Sequence, residues 1–105
     1  MRIGKEMRIK NNTIKTAGMR PEILLAMMVA NEVYKQYGYD FVITSVTDGK
    51  HHLTSNHYTG NAFDCRIYHK KDKEIQAEIK NRLNIDYDVL LENNHIHIQY
   101  KPRYR

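Results

Sequence analysis

A single cysteine, Cys65, stands in 105 residues, which excludes an intrachain disulfide scaffold and a Cys-rich zinc finger. No apolar run approaches the roughly 18 residues of a membrane span, so a transmembrane role is excluded. The opening Met1-Arg2-Ile3-Gly4-Lys5 has no apolar stretch behind it, so no secretory signal peptide is expected. There are no repeats and no low-complexity stretches. The length is too short for two domains, while 41% hydrophobic residues suffice for one core. The expected organisation is therefore one domain over residues 1–105.

Charge is unevenly spread. The formal net charge is +5 with histidine neutral. Residues 1–20 hold Arg2, Lys5, Arg8, Lys10, Lys15 and Arg20 against Glu6 alone. Lys101, Arg103 and Arg105 form a basic tail, and the body between is net acidic, with 8 basic and 11 acidic residues over 21–100. A nucleic-acid domain more often carries its basic stripe on the folded body. Basic ends around an acidic body suit solubility or contact with an anionic surface instead, and no nucleic-acid partner is expected.

Hydrophobic spacing indicates an α+β domain. Residues 1–18 are polar and weakly patterned, a basic arm or a short strand. Pro21 suits the first helical position, and Ile23, Leu24, Met27, Met28, Val33, Tyr34 and Tyr37 recur at helical spacing up to Gly38, a natural stop. Phe41-Val42-Ile43-Thr44 reads as a buried strand. Residues 45–61 read as a long loop, which in so small a domain is usually functional. Ala62 to Ile67 is a second strand. Asp72 is a candidate cap for a helix with Ile75, Ile79 and Leu83 on one face. Tyr87 to Leu91 and His95 to Tyr100 complete a small, mostly antiparallel sheet, joined by a turn at Asn93-Asn94.

Six histidines are many for this length, and neutral imidazole is the commonest metal ligand near neutral pH. His95 and His97 alternate with Ile96 and Ile98, so the histidines share one strand face with Gln99 while the isoleucines face a core. Alone, that pair also fits two exposed histidines on a half-solvated sheet. Asp64 lies inside an apolar strand, where a carboxylate is costly unless it is paired or metal-bound; Arg66, on the same face, is one possible partner. Gly60 would let the backbone turn closely between His57 and that strand. Cys65 falls on the apolar face and reads as a core residue. His52 and His69 have no assigned role.

The segment Ser55-Asn56-His57-Tyr58-Thr59-Gly60-Asn61-Ala62-Phe63-Asp64 resembles the S-x-H-x-x-G-x-A-x-D motif of zinc peptidases of the D-Ala-D-Ala carboxypeptidase type. That group includes the LAS metallopeptidases and phage endolysins of the M15 class, with the fold shared by hedgehog proteins. The late Glu92-Asn93-Asn94-His95-Ile96-His97 satisfies both closing motifs of the group, E-x-x-H and H-x-H. The likeness covers residues 20–100.

The resemblance implies His57 and Asp64 as zinc ligands. Read as H-x-H, the third ligand is His97 with His95 as its active-site neighbour; read as E-x-x-H, it is His95. The Asn-His-Ile-His-Ile run looks more like the H-x-H branch, so His97 is favoured. Glu92 is the candidate base, with His95 as the other proton acceptor. Ser55 and Lys50 are candidate substrate contacts. Some members place an Arg before the His motif; here Val46-Thr47-Asp48-Gly49-Lys50 has none, and Lys50 or His51 would have to supply an oxyanion donor. Two histidines and one aspartate with an open position match a catalytic zinc site. The implied activity is hydrolysis of amide bonds in peptidoglycan stem peptides, at the bacterial cell wall, by a bacteriophage lysin or virion-associated enzyme. The alternative is a non-catalytic zinc-binding domain of the same fold.

Overall fold

The computed structural model describes residues 2–3, 7–9, 20–47 and 62–102. They form two helices and one six-stranded sheet, the expected α+β architecture. The strands are β1 (Arg2–Ile3), β2 (Met7–Ile9), β3 (Val42–Thr47), β4 (Ala62–Arg66), β5 (Tyr87–Leu91) and β6 (His95–Tyr100). The helices are α1 (Pro21–Gln36) and α2 (Asp72–Arg82). Sheet order is β1-β2-β3-β4-β6-β5, antiparallel throughout except for the parallel β2–β3 pair. Residues 1–18 thus supply two short strands at the sheet edge, where one strand or an arm is expected from sequence.

Helix α1 starts at Pro21, whose missing N–H falls where no intrahelical bond is needed. It ends in the six-residue closure that a left-handed residue permits. Gly38 has φ +82, its N–H donates to Lys35 O at 3.0 Å, and Tyr39 N–H donates to Tyr34 O at 3.0 Å. The buried stripe is Ile23, Ala26, Met27, Ala30, Val33 and Tyr34. Leu24 and Met28 were expected in that stripe, but they face outward, 39% and 58% exposed. Ala26 and Ala30 take the inner positions, where small side chains let the helix approach its neighbours closely. Of the two methionines, Met27 alone is core.

Strand β3 runs on to Thr47, so the loop expected from residue 45 begins later. Its pairing with β4 shifts between Ile43 and Ser45, an extra residue at Thr44 that sets Ser45 opposite Asp64. Helix α2 carries Ile75 and Ile79 inward, with Leu83 buried beyond its end. Asp72 does not cap it as expected from sequence. Its carboxylate turns back, accepting the N–H of Tyr68 at 3.0 Å and of His69 at 2.8 Å. It thereby clamps the β4–α2 connection, where exposed His69 takes φ +59.

The two helices pack on each other and on the sheet face that carries Phe63, Cys65, Val89, Ile96 and Ile98. Phe41 meets Phe63 edge-on with centroids 6.1 Å apart. Ile96 and Ile98 are fully buried, each contributing about 1.5–3 kcal/mol of transfer free energy. A one-residue slip of β6 would expose both and bury His95 and His97, so the register is firmly set. At the β5 edge, Gln76 Nε2 donates to Val89 O at 2.7 Å, covering an outward carbonyl with a helix side chain. No helix among the described residues is long and apolar enough to cross a membrane.

Candidate metal centre

The chain leaves β4 through α2 and returns by β5, yet β6 and not β5 lies beside β4. That order brings two distant motifs side by side. Asp64 is opposite His97 and Arg66 is opposite His95 across β4–β6; Leu90 and Ser45 extend the Asp64–His97 row on either side. Phe63 and Cys65 point into the core, so Asp64 points to the other face, with His95, His97 and Gln99.

The side chains converge. Asp64 Oδ1 lies 2.7 Å from His97 Nδ1 and 3.7 Å from His95 Nε2. One ligand atom each from Asp64, His95 and His97 can be chosen so that all lie within 4.8 Å of one another, close enough to share a metal ion. All three are about three-quarters covered, with side-chain exposures of 25%, 26% and 25%. The donor set of one carboxylate and two imidazoles suits zinc and other first-row divalent ions, and the burial shields it from bulk water. Glu92, half exposed, has Oε1 3.8 Å from His95 Nε2.

Both ring nitrogens of His97 meet oxygen acceptors, Asp64 Oδ1 at Nδ1 and Gln99 Oε1 at 3.2 Å from Nε2. The hydrogen bond to the Asp64 carboxylate raises the pKa of His97 above the ordinary histidine value. Burial opposes that rise and Gln99 adds to it. Asp64 makes no ion pair with Arg66 among the described residues; its partners are the two histidines. Thr44 Oγ1 donates to the Asp64 backbone carbonyl at 3.4 Å, tying the bulge to the site strand.

Of the residues singled out from sequence, Asp64, His95, His97 and Glu92 are brought together. His57, Ser55, Lys50, His51 and His52 lie outside the described residues. Cys65 is fully buried on the opposite face, where burial pushes its thiol up to about 12. It is a core residue, in contact with Tyr34, whose hydroxyl donates to Arg66 O at 2.7 Å. Two contributors had no role assigned from sequence. Gln99 sits behind His97, and Asn94 Oδ1 sits 2.5 Å from His95 Nδ1. Strand alternation already puts Gln99 on the histidine face, whereas Asn94 reads only as a turn residue.

In comparison with known proteins, no family model, curated protein or solved structure matches this chain.

Proposed function

We propose that this chain is a zinc-dependent peptidase that hydrolyses amide bonds in peptidoglycan stem peptides, as a carboxypeptidase or endopeptidase of phage-lysin type. The observation that carries the reading is the convergence of Asp64, His95 and His97 beside Glu92. These are the described residues that the motif resemblance assigns to such a site.

Asp64 and His97 would hold the metal, with His57 as the further ligand that the resemblance implies. Zinc bound there supplies Lewis-acid polarisation of the scissile carbonyl and a bound water with a pKa near ~7. Glu92, open to solvent on one side, is free to take a proton from the attacking water and return it to the leaving amine. His95, 3.8 Å from Glu92 and 3.7 Å from Asp64, keeps that proton within the site. Ser45 and Leu90, exposed at the two ends of the Asp64–His97 row, would flank an extended peptide laid along it.

The test is digestion of purified peptidoglycan by the zinc-loaded 105-residue chain, with mass spectrometry of the released muropeptides. Shortened or cut stems are expected, and their masses identify the scissile bond. Bound zinc with intact stems would favour the non-catalytic zinc-binding domain instead.

A further inference from the structure

We infer that Asn94 and Gln99 are positioning residues that decide which ring nitrogen of His95 and of His97 is left for a metal on the Asp64 side. The two histidines stand two apart on β6 and share a face, yet they present opposite nitrogens to one carboxylate oxygen. His95 presents Nε2, 3.7 Å from Asp64 Oδ1, and His97 presents Nδ1, 2.7 Å from the same atom. The rings are 6.5 Å apart and inclined by 78°, so the convergence comes from different ring orientations and not from stacking.

Behind each ring stands an amide oxygen. Asn94 Oδ1 is 2.5 Å from His95 Nδ1, and Gln99 Oε1 is 3.2 Å from His97 Nε2. An amide oxygen only accepts, so each of these rear nitrogens carries a proton. His97 Nδ1 also faces an acceptor, the Asp64 carboxylate, so in the metal-free chain a proton lies between them; a metal there would replace that proton and leave the ring with Nε2–H. With a metal bound the tautomers would be opposite, Nδ1–H in His95 and Nε2–H in His97, and both lone pairs would face the Asp64 side.

Gln99 matters most, because Asp64 competes with it. With Nε2 unsupported, a neutral His97 would keep its proton on Nδ1, where the Asp64 carboxylate attracts it. That proton would occupy the nitrogen a metal needs. Gln99 makes the other tautomer affordable by accepting the Nε2–H. Such outer partners of ligating histidines typically change metal affinity by about 10–100-fold. The inference rests on the metal-site reading of Asp64 and His97, and its readouts need no peptidase activity.

The test uses the 105-residue chain with ¹⁵N-labelled histidine, loaded with zinc and read by long-range ¹H–¹⁵N correlation. Nε2–H with a zinc-shifted Nδ1 is expected for His97, and Nδ1–H for His95. In zinc titrations, Gln99→Leu is expected to bind about 10–100-fold more weakly, and Gln99→Glu, which keeps the acceptor, is expected to restore binding. That rescue separates positioning from a folding defect. Zinc on His97 Nε2, or Gln99→Leu binding as tightly as the wild type, would overturn this inference alone. A wild-type chain that binds no zinc would overturn the metal reading, and this inference with it.

Discussion

Asp64 Oδ1 lies 2.7 Å from His97 Nδ1, although 33 residues separate the two in the chain. They meet as register partners on adjacent antiparallel strands, on the sheet face away from the helices. The pair is the centre of the proposed metal site. Asp64→Asn and His97→Ala should each weaken zinc binding by more than the roughly 100-fold ceiling typical of outer-shell partners. Isothermal titration of each variant checks this, with circular dichroism to confirm folding. Binding at wild-type strength in both would remove them from the ligand set.

The same pair predicts two opposite pH dependences. The folded chain holds the His97 proton more tightly than the unfolded chain does. The stabilisation is therefore complete below the unfolded histidine value of about 6.5 and is lost as pH rises through the raised folded value. Urea midpoints of the metal-stripped protein should fall between pH 6 and pH 9, and His97→Gln should flatten that fall. Zinc competes with the same proton, so zinc affinity should rise over the same window. Parallel slopes for the two quantities would contradict the account.

Asp72 should matter to stability far more than an ordinary helix carboxylate. Its two oxygens accept from Tyr68 and His69, and it is buried. A hydrogen bond to a carboxylate, a charged acceptor, contributes about 1.5–3 kcal/mol. Asp72→Ala should lower stability by that amount in urea unfolding, and Asp72→Asn, which keeps one acceptor oxygen, by less. Zinc affinity per folded molecule should stay unchanged. An Asp72→Ala midpoint equal to that of the wild type would show that the clamp carries no load.

Cys65 should be inert in the folded chain. Burial pushes its thiol up to about 12, and it has no exposed surface. Reaction with a thiol reagent at pH 8 should therefore wait for unfolding and become rapid in denaturant. Cys65→Ala should bind zinc as the wild type does. Fast labelling of the native protein, or zinc lost in that variant, would contradict a purely structural role for the thiol.

Much of this architecture was legible in the chain because strand alternation is a two-state code. In His95-Ile96-His97-Ile98-Gln99 every second residue is apolar, so both the core face and the polar face follow from spacing. The same holds for Phe63-Asp64-Cys65. What spacing does not carry is which strand lies next to which. The β4-β6-β5 order depends on contacts across the chain, so the meeting of Asp64 with His97 came from motif resemblance and not from periodicity. Spacing alone places Leu24 and Met28 on the inward face of α1, because large apolar residues attract that assignment. Close packing instead selects Ala26 and Ala30, and hydrophobicity alone does not reveal that preference. Asp72 suits either a cap or a turn clamp by residue type, and only the path of the β4–α2 connection decides. The Thr44 bulge, which sets Ser45 opposite Asp64, leaves no mark in composition.

The central claim is catalysis at this site, and Glu92 separates it from metal binding alone. The decisive measurement is the release of new amino termini from purified peptidoglycan by the zinc-loaded wild type and by zinc-loaded Glu92→Gln, with zinc content determined in both. The account predicts equal zinc in the two proteins, release by the wild type, and release reduced by roughly 10²–10⁴-fold in the variant, the usual contribution of a general base. Equal release by both proteins, or none by the zinc-loaded wild type, would contradict it.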